Sequence, residues 1–403
     1  MKIIYSLSVR SYSFLVRIAS LWNVKAKKWM QGRVDVWEDL ANWQRKDTPV
    51  YWFHCASLGE FEQGRPVMEK LKSNRDCQII ITFFSPSGYE IRKNYEGADL
   101  VVYLPRETNS NVKRFLSMVQ PELVFFIKYE FWATYLFEAK KRGAKTYSIS
   151  AVFRKNQVFF KWYAGFMRSI LKSFDQIFTQ DKVSAELLQS IKIDSIVAGD
   201  TRYDRVLNNA SKVKPYPEIE QFIDDSKVFV VGSSWKTDED VILPYLDDPN
   251  FDWKIIIAPH EVDQATIHDL KKKLKKSTVL YSELTENNAV ADVLIIDNIG
   301  MLMNVYQYAD LAYVGGAFGK GLHNILEPAC FNVPVIFGYN YSKFIEATDF
   351  INNGIGYSVS DKEGFKKIVQ QLEMQDMAKL IQQFMEERRG ATEKIVAVIS
   401  NGL

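Results

Sequence analysis

At 403 residues, with 47% hydrophobic and 25% charged side chains, the chain has the make-up of an ordinary globular protein large enough for two domains. Cys55, Cys77 and Cys330 form no Cys-x-x-Cys pair and the four histidines have no metal-ligand spacing, which argues against a disulfide framework or a zinc site. The net charge of +2 is unevenly spread, because residues 1–33 hold seven cations and no acid and leave the remainder at −5.

That basic end is patterned. Ser6, Arg10, Ser13, Arg17, Ser20, Asn23 and Lys27 recur at spacings of four and three, a narrow polar stripe on a helix otherwise filled by Ile3, Ile4, Leu7, Phe14, Leu15, Ile18, Leu21 and Trp22. Arg10 and Arg17 interrupt the apolar run, so it does not reach the ~20 residues that span a bilayer. The spread of charge also argues against a cleavable signal peptide. The expectation for residues 1–33 is a monotopic helix in a membrane interface, with Trp22 and Trp29 at the headgroup level among Lys25, Lys27 and Lys28.

Beyond it, apolar strand-like runs alternate with helical patterns. The expected strands are Val50–His54, Gln78–Phe84, Leu100–Tyr103, Leu123–Lys128, Thr146–Ile149, Gln176–Thr179 and Ser195–Val197. Residues 208–220, polar and with two prolines, read as a linker. The alternation then restarts with Lys227–Val231, Lys254–Ala258, Val293–Ile296, Leu311–Val314, Val333–Phe337 and Ile355–Tyr357. This pattern implies two doubly wound parallel sheets, in domains 34–207 and 221–403, facing a cleft with ligands beyond the C-terminal strand ends.

The richest segment runs from Tyr313 to Glu346. A buried strand leads into Gly315, Gly316, Gly319 and Gly321, then His323 and Asn324 at an expected helix start, with Glu327 one turn in. Glycines let a backbone approach an anion, and a helix N-terminus supplies free N–H groups. Asn324 and Glu327, three apart, would share a face, giving a phosphate cradle with a carboxylate for a ribose diol. The glycine spacing is not GxGxxG, and Leu322 stands where a Walker A lysine is required. A plain structural turn with Glu327 as an N-terminal acid is the competing reading.

The same segment closely resembles the donor-binding motif of the Kdo transferases, VGGS, a loop, GGHNPLE and PVLFGP. These glycosyltransferases move 3-deoxy-D-manno-octulosonic acid (Kdo) from CMP-Kdo onto lipid A precursors. Asn324 and Glu327 match, while Ala317, Leu322, Ile325 and Tyr339 depart from the pattern. Glu60, in CASLGE, falls where the family's SVGE motif carries its catalytic base, with Ser57 and Gly59 beside it. A sugar hydroxyl is a very weak acid, so a carboxylate must take its proton as the new bond forms. The competing view of Glu60 is an acid favoured at a helix N-terminus.

The resemblance extends through both halves. Ser85, Ser87 and Gly88 correspond to a TPTG turn that could hold sugar hydroxyls or carboxylate, and a plain turn is the alternative. Glu130 matches the second glutamate of ETELW, with Lys128 in place of the first, and Arg202 stands where a GSLKFD-like motif has lysine, a cation for developing phosphate charge. In the second half Ser233 and Ser234 could meet phosphate, Pro259 and His260 match a PRH loop lacking its arginine, and Gly300, Met301 and Leu302 match a GELM element. With Gly316, Asn324, Ile325, Leu326 and Glu327 they form the expected donor site. Asp238–Glu239–Asp240 formally fits the DxD of metal-dependent glycosyltransferases but lies at a helix start, so no metal and no other cofactor is expected. The basic and aromatic stretch Val152–Ser173 reads either as a lipid-guiding surface or as an amphipathic helix with a solvated face.

The resemblance therefore implies an inverting, metal-independent glycosyltransferase of GT-B architecture on the cytoplasmic face of an inner membrane, peripheral or monotopic. Its expected partners are CMP-Kdo, a lipid IVA-like acceptor and the membrane surface, with no nucleic acid. The alternative is a GT-B enzyme or an epimerase acting on another nucleotide sugar.

Overall fold

A computed structural model describes residues 2–285, 289–319 and 321–402, the side chains of Lys2, Ile3, Ile4 and Ser6 excepted. Met1–Asp204 with Arg388–Leu403 form one unit and Arg205–Glu387 a second.

The first unit is built on β1 (Val50–Cys55), β2 (Gln78–Phe83), β3 (Leu100–Tyr103), β4 (Leu123–Ile127), β5 (Lys145–Ala151), β6 (Gln176–Thr179) and β7 (Ile196–Val197). They lie parallel in the order β3-β2-β1-β4-β5-β6-β7. Burial on both faces explains the near-continuous apolar runs. Val50, Trp52, Ile80 and Val124 face one core, and Tyr51, Phe53, Ile79 and Phe125 the other. The strand order reverses between β1 and β4, where ligand sites of open α/β sheets gather.

The second unit repeats the plan with β8 (Val228–Ser234), β9 (Lys254–Pro259), β10 (Thr278–Leu280), β11 (Val293–Ile295), β12 (Leu311–Val314), β13 (Val335–Gly338) and β14 (Gly356–Val359). Their order is β10-β11-β9-β8-β12-β13-β14, all parallel, with the reversal between β8 and β12. The fold is thus α/β, two doubly wound parallel-sheet domains with an amphipathic N-terminal helix, as the alternation implied. The short edge strand β10, which follows a lysine run, was not anticipated.

Several elements depart from the sequence reading. The N-terminal stripe is divided between helices Lys2–Ala19 and Val24–Gln31. Ser20 Oγ donates to the Arg17 carbonyl at 2.6 Å, and Asn23 Oδ1 accepts from Ala26 N at 3.0 Å, so these polar residues end one helix and cap the next. Trp29 is 5% exposed and lies inside the fold, whereas Trp22 is 72% exposed. Arg33 is no surface cation either. Its guanidinium stacks 3.7 Å over Trp29 and donates to the carbonyls of Trp29, Phe84 and Leu104, each at 2.9 Å. Among the described residues no helix is long and apolar enough to cross a membrane.

Within residues 208–220 one helix, Thr201–Ala210, ends and another, Pro217–Ile223, begins. The last helix, Ala391–Asn401, packs Ile395, Val396 and Ile399 into the first unit's core, although the sequence reading grouped it with the second domain. Asp204, in the GDTRYD stretch, accepts from Gly390 N at 2.6 Å and Thr392 N at 2.7 Å and so caps that helix. Val152–Ser173 is not one amphipathic helix. It breaks into a short turn, Val158–Phe160, and a helix, Gly165–Leu171, with Trp162 91% exposed and Phe159 buried.

Candidate active site

In the first unit the loops after β1 and β4 meet at the strand reversal. The helix Leu58–Asn74 starts at Ser57, and Glu60 Oε2 turns back to accept from the backbone N–H groups of Ala56 and, at 3.2 Å, Ser57. This capping box fixes the carboxylate. Burial, then the nearby negative charge of Glu130, push the Glu60 carboxyl up to about 8, while the backbone donors and Lys128 work the other way. This N3 place in a capping box is the helix-start role of the competing reading, and burial sets it apart from a solvated cap. Gly59 is exposed, and a Cβ there would meet nothing within 4 Å, so the space over this first turn is open.

Lys128, in the left-handed region at φ 63°, turns the chain after β4 and presents Glu130. Glu130 Oε2 accepts from Trp132 Nε1 at 2.5 Å and lies 3.1 Å from His54 Nε2. Ser85, which follows β2, is tied to the same edge by its N–H to the Ala56 carbonyl at 2.8 Å, and its Oγ lies 3.0 Å from Ser87 Oγ. Gly88 serves packing, since a Cβ there would sit 2.3 Å from the Phe83 ring. Arg202 is clamped by Asp200, with Nε and Nη2 donating to Oδ2 at 2.9 and 2.6 Å, so its charge is already balanced within its own turn.

In the second unit the loops after β8 and β12 interlock at the corresponding reversal. Gly315 packs so tightly that a Cβ would lie 2.3 Å from the Ser233 carbonyl oxygen, and Gly316, at φ 97°, would place one 2.2 Å from Gly321 O. These positions require glycine. Buried Asp238 binds the two loops together: it accepts from Tyr313 Oη at 2.7 Å and from the N–H groups of Gly316 and Trp235 at 2.9 Å each. The DxD aspartate therefore spends its oxygens on the fold. Ser233 is in the left-handed region at φ 50°. Ser234 is buried and its Oγ donates to Glu239 Oε1 at 3.4 Å, which turns the hydroxyl away from the role expected of it and leaves its backbone.

Asn324 lies before its helix rather than on it. The helix is only Leu326–Ala329, kept short by Pro328, and Ile325 precedes it. Asn324 and Glu327 therefore share no helical face; instead Asn324 Nδ2 donates to Glu327 Oε1 at 3.0 Å and Asn324 Oδ1 accepts from Leu326 N at 3.3 Å. Gly300, at φ 100°, turns into the helix Leu302–Val305 that Met301 precedes. From that helix's end Tyr306 lies beneath Gly232, buried and within the field of Glu327.

One arrangement was not anticipated from the sequence. Trp235 and His260, which follows Pro259 at the end of β9, stack with ring centres 4.4 Å apart, and His260 stacks on His323 at 4.5 Å. Trp235 Nε1 donates to His323 Nε2 at 3.1 Å, and burial, with His260 beside it, lowers the His323 ring to about 4. His323 is therefore neutral at physiological pH. The rings are separated by 25 and 63 residues, and only the strand order brings them together.

Comparison with known proteins adds a second line of evidence. Residues 30–205 match the family model described as 3-deoxy-D-manno-octulosonic-acid transferase (kdotransferase). The 3-deoxy-D-manno-octulosonic acid transferase of Chlamydia muridarum is 29% identical over 345 residues, covering 80% of this chain and 78% of its own. A bifunctional glycosyltransferase/methyltransferase of Fusobacterium nucleatum is 26% identical over 361 residues, covering 85% of this chain, which spans 56% of that longer protein. Among solved structures, the UDP-GlcNAc 2-epimerase of Neisseria meningitidis bound to UDP-GlcNAc shares the fold, with a TM-score of 0.60 at 15% identity over 88% of this chain and 100% of its own. The chain is thus similar to the Kdo transferases, through the family model over residues 30–205 and through relatives that align with about four-fifths of its length.

Proposed function

We propose that the protein transfers Kdo from CMP-Kdo to a hydroxyl of a phosphorylated, acylated glucosamine disaccharide of the lipid IVA type, with inversion and with Glu60 as general base. The observation that carries this reading is the Glu60 carboxylate, held at the end of β1 by two backbone donors under an open first turn, with its ionisation raised to about 8. A base poised near neutral pH combines a sizeable ionised fraction with a strong pull on the proton. Glu60 takes the acceptor hydroxyl's proton as that oxygen bonds to the anomeric carbon. The bond from that carbon to the CMP phosphate oxygen breaks, and CMP leaves with the electron pair from the opposite face.

On the donor side, the glycine approach at Gly315 and Gly316 is used to lock the two loops together, and Glu327, steadied by Asn324, accepts from the ribose hydroxyls. Ser233, Pro259, His260, Gly300, Met301 and Leu302 complete the donor site in this reading, and Arg202, already paired with Asp200, is given no part in it. Ser57, Ser85 and Ser87 serve the sugar.

The same reading places the protein on the cytoplasmic face of an inner membrane, and what supports contact with a membrane surface is Leu7, Phe14, Leu15, Leu21 and Trp22, each more than 60% exposed, beside the exposed cations Arg10, Arg17, Lys25, Lys27 and Lys28. The test is the product formed from CMP-Kdo and lipid IVA, with UDP-GlcNAc as the control donor. A mass increase of one or more Kdo units with CMP-Kdo alone supports the proposal. Binding of UDP but not CMP would favour the epimerase-like alternative.

A further inference from the structure

His54 is fully buried near the end of an apolar strand and takes no part in the reaction as described above. It pairs in register with Thr82 of β2. Its Nδ1 lies 2.8 Å from Thr82 Oγ1 and 3.1 Å from the Thr82 carbonyl oxygen, and its Nε2 lies 3.1 Å from Glu130 Oε2. Trp52 Nε1 donates to Thr82 Oγ1 at 2.8 Å, which leaves that hydroxyl's own proton for His54 Nδ1. The ring is then neutral with its hydrogen on Nε2. If Nδ1 instead donates to the Thr82 carbonyl, Nε2 faces a carboxylate oxygen as a bare lone pair unless the ring takes a second proton. Both consistent states put a hydrogen on Nε2, aimed at Glu130. Trp132 Nε1 donates into the same Oε2 at 2.5 Å, and an oxygen bearing its own proton is a poor acceptor, so Glu130 is the ionised partner.

We infer that His54 is a positioning residue of the reaction: aimed by Thr82, its Nε2–H holds Glu130 as an oriented carboxylate beside Glu60. The inference rests on the proposal that Glu60 is the base. The groups around Glu60 are Glu130 and Lys128 from the loop after β4, Tyr129 from that loop with Arg154 acting on it, and Cys55 and Glu62 from β1 and the helix beyond it. Of the charges acting on Glu60, Glu130 works to keep it protonated and Lys128 to ionise it. With His54 gone, Glu130 loses the contact that holds it beside Glu60, and its charge no longer opposes the ionisation of Glu60 from that fixed place. The acid limb of kcat/KM then moves to lower pH, and the altered Glu130 lowers kcat.

Nitrogen-15 NMR of the four histidine rings of the wild-type protein, with His54 identified by its loss in His54→Asn, reads the protonation state directly. A hydrogen on His54 Nε2 is expected, and a bare Nε2 overturns the inference. His54→Asn keeps a donor near the Nδ1 position only and should lower kcat ~10- to 150-fold, the scale of one charge-assisted hydrogen bond, with the acid limb displaced downward. His54→Gln, which restores a donor near the Nε2 position, should recover most of kcat and return the limb. In a Glu130→Gln background His54→Asn should add no further loss. A wild-type kcat and pH profile in His54→Asn, or an equal loss in the Glu130→Gln background, overturns the inference. Full turnover by Glu60→Gln would defeat the base assignment, while the NMR result and the His54/Glu130 cycle would still decide the role of His54.

Discussion

Glu60→Gln should separate function from stability, because the environment that poises the carboxylate also strains the fold. Raising its pKa from 4.5 to about 8 means that the folded protein holds this proton more tightly than the unfolded chain does. The linkage sign follows: the stabilising proton is fully present below the unfolded value and is lost as pH rises through about 8, so this site makes the protein less stable at high pH. At ~1.4 kcal/mol per unit the ceiling is ~5 kcal/mol, and partial solvent access reduces it to roughly 1–3 kcal/mol. Glutamine keeps an oxygen for the N–H groups of Ala56 and Ser57 and is neutral at every pH. Urea denaturation of the wild-type and Glu60→Gln proteins at pH 5 and pH 9 tests this. Similar midpoints at pH 5 and a more stable variant at pH 9 are expected, with kcat reduced at least ~10²-fold, the low end for losing a general base. A variant equally destabilised at both pH values would refute the electrostatic account of Glu60.

The same ionisation predicts that kcat/KM of the wild-type enzyme falls about tenfold per unit below pH 8, and a flat profile from pH 6 to 9 would contradict it. Arg33→Met keeps the stem over Trp29 but strips the carbonyls of Phe84 and Leu104 of their donor, and it should cost ~2–6 kcal/mol at ~1–3 kcal/mol per unsatisfied buried group. Vesicle binding should be unchanged in that variant, and urea midpoints with co-sedimentation on anionic vesicles check both outcomes. Leu15→Ser with Trp22→Ser should weaken vesicle binding with little salt dependence, whereas charge reversal at Arg10 and Arg17 should weaken it most at low salt. Glu327→Ala should weaken CMP binding by ~1.5–3 kcal/mol per lost charge-assisted bond and abolish discrimination against 2′,3′-dideoxy-CMP, read by calorimetry.

Most of the architecture was legible because parallel strands buried on both faces are largely apolar, and thirteen of the fourteen strands among the described residues lie in runs read from the sequence. β10 does not, being three residues at a sheet edge. Gly315 and Gly316 were legible as glycine positions but not in their use: the sequence reading had them approach an anion, whereas they approach the backbone of Ser233 and Gly321. The N-terminal stripe misled because a periodic pattern does not reveal caps or tertiary partners. Asn23 and Ser20 suit a helix face as well as a helix end, and nothing local to Trp29 or Arg33 announces the distant carbonyls of Phe84 and Leu104. The Trp235–His260–His323 stack and the His54–Glu130 contact depend on strand order, which spacing along the chain does not encode. A histidine inside an otherwise apolar strand was the one available signal for His54, because a buried imidazole needs partners for both nitrogens.

The central claim is that Glu60 drives transfer of Kdo from CMP-Kdo to a lipid acceptor. It is tested most directly by mass spectrometry of lipid IVA incubated with CMP-Kdo and either wild-type or Glu60→Gln protein, with CMP binding measured on both. The account predicts Kdo-bearing product from the wild type, product slowed at least ~10²-fold in the variant, and equal CMP affinity. Equal product from both proteins would contradict it, as would no Kdo transfer by a wild-type protein that binds CMP.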